Sequence, residues 1–179
     1  MGLFYTGQGD QGESKVWQKK IPKDSLEMAA LGNLDELNSL LGLIGTQKMP
    51  SDIPAVLKEI QENLFIIQAN TSSFNNEGQA PKLAAEKVVA MEKLIDAIEE
   101  KVQPRRGFVV PGQTESSAWL DLARTVARRA ERSVVAFSRT ADVDPVILAY
   151  LNRLSGLLFG LGRLAVKDAD VTEQNPTYR

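Results

Sequence analysis

The sequence predicts an all-α domain, a five-helix up-and-down bundle, and three observations predict it. Apolar residues recur at three and four positions in five separate stretches, the period of an amphipathic helix. Start signals stand ahead of four stretches: Asp24-Ser25, Ser51-Asp52-Ile53-Pro54, Thr114 and Asp144-Pro145. Aromatic residues make up only 6% of the chain, which suits Leu, Ala and Val packed between helices better than a β-sandwich. With 179 residues, one domain with a full core is expected. It divides into an N-terminal loop (1–23), the bundle (24–168) and a polar tail (169–179).

Composition excludes several chemistries. The net charge of −2 argues against a nucleic-acid partner. There is no cysteine, hence no disulfide, thiolate nucleophile or Cys-based zinc site. There is no histidine, which removes the commonest general base, the commonest transition-metal ligand and every Ser-His-Asp triad. Chemistry here must run on carboxylates, Arg, Lys, hydroxyls, amides or a bound group. No uninterrupted apolar run approaches 18 residues and the N-terminus has no signal-peptide core, so the expectation is a cytoplasmic protein without a membrane partner.

Residues 1–23 have no helical period. Gly7, Gly9 and Gly12 fall within six positions of the run Tyr5 to Ser14. On its own the run reads as a flexible arm; glycines so spaced also suit a nest of backbone N–H groups around an anion. No Gly-Lys-Ser/Thr follows, so it is not a Walker A loop. Lys15, Lys19, Lys20 and Lys23 come next, either solubilising the arm or lining an acidic ligand.

The first helix starts at Asp24 or Ser25 and turns Leu26, Ala30, Leu34, Leu37, Leu41 and Ile44 inward. Asp35 falls at the edge of that stripe, where it is either an exposed acid or a carboxylate in want of a cation. The second helix runs from Pro54 to about Phe74, with Leu57, Ile60, Leu64, Ile67 and Ala69 inward; Asn75 to Gln79 is a turn cluster. The third spans about 82–103, with Val89, Met91, Leu94, Ile95 and Ile98 inside and charge patterning from Glu86 to Lys93 outside. Pro104-Arg105-Arg106-Gly107 ends it. A short apolar loop, Phe108 to Gln113, leads to the Thr114 cap. The fifth helix runs from Pro145 to about Lys167, and the tail beyond Asp168 is expected to fray.

The fourth helix holds the densest charge pattern. Trp119, Leu122, Ala123, Val126, Ala130 and Val134 mark its apolar side. Arg124, Arg128, Glu131 and Arg132 share another side. Arginines four apart repel by a few tenths of a kcal/mol unless something negative lies between them. The face is either solvated or the wall of a polyphosphate site.

Five stretches, in order, resemble the PduO-type ATP:cob(I)alamin adenosyltransferases. They are Tyr5-Thr6 with Gly9-Asp10-Gln11-Gly12, the run Gly32 to Ser39, Phe108 before Pro111-Gly112, the run Ala123 to Arg132, and Tyr150 to Ser155. The resemblance covers nearly the whole chain. It implies a homotrimer with active sites between subunits. The implied reaction moves the 5′-deoxyadenosyl group of ATP onto the cobalt of a reduced corrinoid and releases triphosphate.

Carried over by residue, the resemblance implies an Arg124–Asp35 pair across the subunit interface. Arg128 is implied at the ATP phosphates, Glu131 as an orienter of nucleotide and arginines, and Asn152 at ATP. Thr6, Gly9, Asp10, Gly12 and Ser14 wrap the triphosphate, with Lys23 nearby. Phe108 sits below the corrin and displaces the lower cobalt ligand, which eases reduction to the Co(I) nucleophile. Mg²⁺ accompanies the phosphates, held mainly by phosphate oxygens and water rather than a protein metal site. A corrinoid reductase or a cobalamin-dependent acceptor enzyme is the implied partner. Because the nucleophile is the substrate's own cobalt, an enzyme without histidine is no contradiction.

The sequence departs from the family pattern mainly in the nucleotide loop. Gly7 replaces a basic residue, and Gln8 and Glu13 stand at threonine positions. Gln113 replaces a glycine, and Gly156 an aspartate. A second reading, a non-catalytic trimeric corrinoid carrier or sensor, follows from those changes.

Overall fold

The computed structural model describes residues 4–16, 19–50, 52–72, 80–104 and 107–178. Ser51, the end of the second helix near Phe74, the turn cluster Asn75–Gln79 and the Arg105-Arg106 pair lie outside the described residues. A short hairpin of β1 (Glu13–Val16) and β2 (Lys19–Pro22) precedes five helices. These are α1 (Leu26–Gly45), α2 (Ile53–Ser72), α3 (Glu86–Val102), α4 (Glu115–Phe137) and α5 (Pro145–Asp168).

The hairpin corrects the all-α expectation and the flexible arm. It is antiparallel, with Ser14 opposite Ile21 and Lys15 opposite Lys20. Alternation is its signal: Ser14, Val16 and Ile21 are half-buried and their neighbours exposed. Four-residue strands are too short to stand out in a sequence scan.

Three of the predicted start signals act as caps, and α2 begins at Ile53 with Pro54 in its first turn. The Ser25 side chain accepts from the Met28 amide, and the Asp144 side chain from the Val146 amide ahead of Pro145 at the first turn. Thr114 and Ser117 form a reciprocal capping box at α4, with bonds of 3.1 and 2.9 Å. The third helix starts later than expected, at Glu86, because Ala85 offers no side-chain cap. Leu83, ahead of it, is buried in the core, and the Asn70 amide donates to the Pro81 carbonyl.

The helices pack in the order α2–α1–α4–α5–α3, so α1–α4 and α3–α5 join helices distant in sequence. A Lys87–Glu59 ion pair at 2.9 Å and the bond from Asn63 to the Tyr150 hydroxyl at 3.1 Å tie α2 to α3 and α5. Leu34, Leu37, Leu41, Leu64, Leu120, Leu151, Leu154 and Leu158 are fully buried. Each such side chain contributes roughly 1.5–3 kcal/mol of transfer free energy. Of the predicted inward positions, Leu26, Val89 and Leu122 are exposed instead, and Ala69, Leu94, Ile95 and Trp119 are half-buried. They sit at the margins of their stripes, where a turn of 100° per residue leaves a position outside the contact.

Among the described residues α5 is long and apolar enough to cross a membrane by length and composition alone. Half of that window is buried inside the bundle, where α5 packs on α3 and α4.

Candidate active site

On α4, Arg124 is partly covered and Arg128 exposed. The Arg124 guanidinium lies 6.0 Å from the Phe159 ring centroid, and its Nε is 3.9 Å from Asp121 Oδ1. That Nε is buried and has no hydrogen-bond partner. An orphaned guanidinium donor costs free energy until an acceptor arrives. Two turns further along α4, Glu131 accepts from Asn152 Nδ2 of α5 at 2.9 Å. Asn152 Oδ1 accepts from Arg153 Nη1 at 2.8 Å, and Arg153 Nε reaches Glu92 of α3 at 2.9 Å. Two of the expected nucleotide residues thus meet directly, joined to a third helix by an ion pair. Arg129, beside them, belongs to the scaffold: it donates to Asn33 at 3.2 Å and pairs with Glu36, both on α1.

The N-terminal loop folds onto Lys23. The Gly12 carbonyl accepts from the Lys23 amide at 2.8 Å, and Gly12 has φ +82°. A Cβ on Gly9 would lie 2.9 Å from Lys23 Nζ and 3.3 Å from the Glu13 carbonyl, so only glycine fits this approach unchanged. The Gln8 amide donates to Thr6 Oγ1 at 3.3 Å. Thr6, Asp10 and Gly12 are exposed, while Gly9 and Ser14 are half-buried. The Glu13 carboxylate faces Lys20 Nζ of the next strand at 3.7 Å, so a lysine answers the charge that stands at a threonine position.

Asp35 is exposed on α1 and lines an open groove between α1 and α2 with Met28, Leu31, Gly32, Phe65 and Gln68. Phe65 is 61% exposed there. Among the described residues no ion pair within the chain joins Asp35 to Arg124. The chief contacts of the hairpin strands are with each other, not with α4.

Phe108 stands 77% exposed on its loop. Sequence reasoning missed what holds this loop. Gly112 N donates to Asp121 Oδ2 at 3.2 Å, Val110 N to the Gln174 carbonyl at 2.8 Å, and Asn175 Nδ2 to the Phe108 carbonyl at 2.7 Å. The tail is therefore docked rather than frayed. Asp121 also accepts from Arg163 Nη2 at 2.9 Å, and both are almost fully buried. A lone arginine within the apolar run Leu157–Val166 was the available signal, because a buried arginine demands a carboxylate.

No three His, Cys, Asp or Glu side chains gather as a metal cluster among the described residues.

The cobalamin adenosyltransferase family model matches residues 4–165. The chain belongs to this family. It is 34% identical over 176 residues to the corrinoid adenosyltransferase PduO of Salmonella typhimurium, covering 96% of this chain and 52% of that protein. It is 35% identical over 165 residues to the corrinoid adenosyltransferase of Bacillus subtilis, covering 90% of this chain and 85% of that one. The chain thus spans about half the length of the PduO relatives from Salmonella typhimurium and Citrobacter freundii, at 52% and 50%. A variant PduO-type ATP:corrinoid adenosyltransferase from Lactobacillus reuteri, complexed with cobalamin and ATP, superposes with a TM-score of 0.91. It is 28% identical, and the match covers 97% of this chain and 98% of that one.

Proposed function

We propose that this chain transfers the 5′-deoxyadenosyl group of ATP to the Co(I) centre of a corrinoid. A Co–C5′ bond forms, the C5′–O bond breaks, and its electron pair leaves on triphosphate. The observation that carries the reading is α4, which bears Arg124 and Arg128 and, one turn beyond Arg128, a Glu131 bonded to Asn152 of α5. It is a cationic wall with an oriented carboxylate, in a chain that belongs to the cobalamin adenosyltransferase family. The Salmonella, Citrobacter and Bacillus relatives are named as corrinoid adenosyltransferases, which supports the same activity here.

The protein's task is orientation and charge stabilisation, since the nucleophile comes with the substrate. Arg128 holds phosphates, Glu131 and Asn152 orient the nucleotide, and Thr6, Gly9, Asp10, Gly12 and Ser14 wrap the triphosphate with Lys23. Mg²⁺ enters with the phosphates. Phe108 presents an apolar face below the corrin and keeps the lower ligand of cobalt away. The Glu13–Lys20 pair supports retained nucleotide binding, because it offsets the extra negative charge beside the loop.

The same reading makes the enzyme a homotrimer. Asp35 faces outward from an apolar groove, and Arg124 carries a buried donor without an acceptor. Pairing Asp35 of one copy with Arg124 of the next meets both needs. It also brings one copy's glycine loop to the next copy's arginine helix.

The test is an anaerobic assay with cob(I)alamin, ATP and Mg²⁺. Formation of an adenosylated corrinoid with stoichiometric triphosphate is expected. No product at saturating substrates overturns the reading.

A further inference from the structure

The Phe108 loop has little beneath it. Behind it lies a cleft of about 310 Å³, lined by Val102, Val109, Arg163, Val171, Glu173 and Asn175 among others. Phe108 itself is 77% exposed, so hydrogen bonds rather than core packing hold its loop. The tail supplies two of them, the Gln174 carbonyl to Val110 N and the Asn175 amide to the Phe108 carbonyl.

The tail is itself anchored. Asp170 takes φ +54°, which turns the chain back, and Val171 N bonds the Val166 carbonyl of α5 at 3.2 Å. Glu173 Oε1 accepts from Arg163 Nη1 at 3.1 Å. Arg163 is 3% exposed, lies 5.1 Å from the Phe159 ring centroid, and donates its other terminal nitrogen to Asp121. Asp121 in turn holds Gly112 at the far end of the loop. One buried arginine thus ties the tail, the loop and α4 together. Such charge-assisted bonds in a dry setting fix geometry closely.

We propose that Asn175 and Glu173 are positioning residues for the corrinoid step, acting as a strap that fixes the backbone of the Phe108 loop. The inference rests on the proposed role of Phe108 beneath the corrin. The strap lies outside residues 4–165, the segment that the family model matches. Asn175 is exposed, so its loss moves the loop without opening the core.

The experiment compares full-length Asn175→Ala, Asn175→Gln, Glu173→Gln and Phe108→Ala proteins with the unmodified chain in the anaerobic assay. Loss of one hydrogen bond to the loop is expected to lower kcat/KM for cob(I)alamin roughly fivefold in Asn175→Ala. KM for ATP and the melting temperature should stay unchanged. Asn175→Gln, which keeps an amide donor, should retain part of the lost rate, and Asn175→Ala should add nothing in a Phe108→Ala background. If Asn175→Ala and Glu173→Gln behave like the unmodified chain while Phe108→Ala slows the corrinoid step, the strap is refuted and the role of Phe108 stands. If Phe108→Ala has no effect either, both fall together. An equal rise in KM for ATP also overturns the strap.

Discussion

Asn152 and Glu131 hold each other across the α4–α5 seam at 2.9 Å, with the amide turned so that its nitrogen faces the carboxylate. Arg153 fixes that orientation by donating to the amide oxygen at 2.8 Å. Glu131 is therefore presented in one pose, one turn beyond Arg128. Asn152→Ala should raise KM for ATP about tenfold, the scale of one hydrogen bond to a charged group. Asn152 is exposed, so the melting temperature should not change. The double variant with Glu131→Ala should cost clearly less than the sum of the two, because the residues act as one unit. Additive losses in steady-state kinetics would show that the contact does not serve nucleotide binding.

The proposed Asp35–Arg124 pair between copies of the chain carries the second test. Asp35→Ala and Arg124→Ala should each lower kcat/KM at least tenfold, and the double variant should be little worse than either alone. Sedimentation should find the unmodified chain three times the monomer mass and both single variants shifted toward smaller species. Full assembly in both variants would remove the pair from the interface.

Helices and caps were legible because they are local. Ser25, Thr114 and Asp144 act at the starts they predicted, and the buried stripes of α1 and α2 follow the helical period. The family resemblance implied Glu131 and Asn152 separately at the nucleotide; their bond to each other came from the structure alone, since 21 residues separate the two. The tail defeated local reading altogether. Its polar composition resembles a fraying end, yet Glu173 and Asn175 bond residues 10 and 67 positions away. No periodic signal encodes such pairings; the only trace was Arg163 stranded among leucines. The hairpin was missed for the opposite reason, strands too short to carry a pattern.

The Asp121–Arg163 pair is a buried charge couple, and removing one partner should be far worse than removing both. Arg163→Met leaves the Asp121 carboxylate buried with the Gly112 amide and only the longer Arg124 contact at 3.9 Å. The expected cost is roughly 3–5 kcal/mol. For a chain of this size that lowers the melting temperature by roughly 10 °C. Replacing both, Arg163→Met with Asp121→Leu, should restore at least half of the loss in calorimetry. A single variant as stable as the unmodified chain would mean that the pair contributes nothing to the fold.

Tyr150 gives the fold a pH limit on the alkaline side. Its hydroxyl accepts from Asn63 at 3.1 Å, and burial, opposed by that bond and helped by Glu59, pushes its pKa from 10 up to about 12. Because the folded value lies above the unfolded one, the stabilisation of the neutral phenol is fully present below pH 10. It is lost as pH rises through the interval to about 12. Each pH unit in that interval costs roughly 1.4 kcal/mol. Tyr150→Phe should be less stable at pH 8 by roughly 1–3 kcal/mol, since it strands the Asn63 donor in the core. Its stability should nevertheless fall less steeply above pH 10, so the two curves converge. Urea midpoints measured from pH 8 to 12 check this, and parallel curves would assign the alkaline loss to other groups.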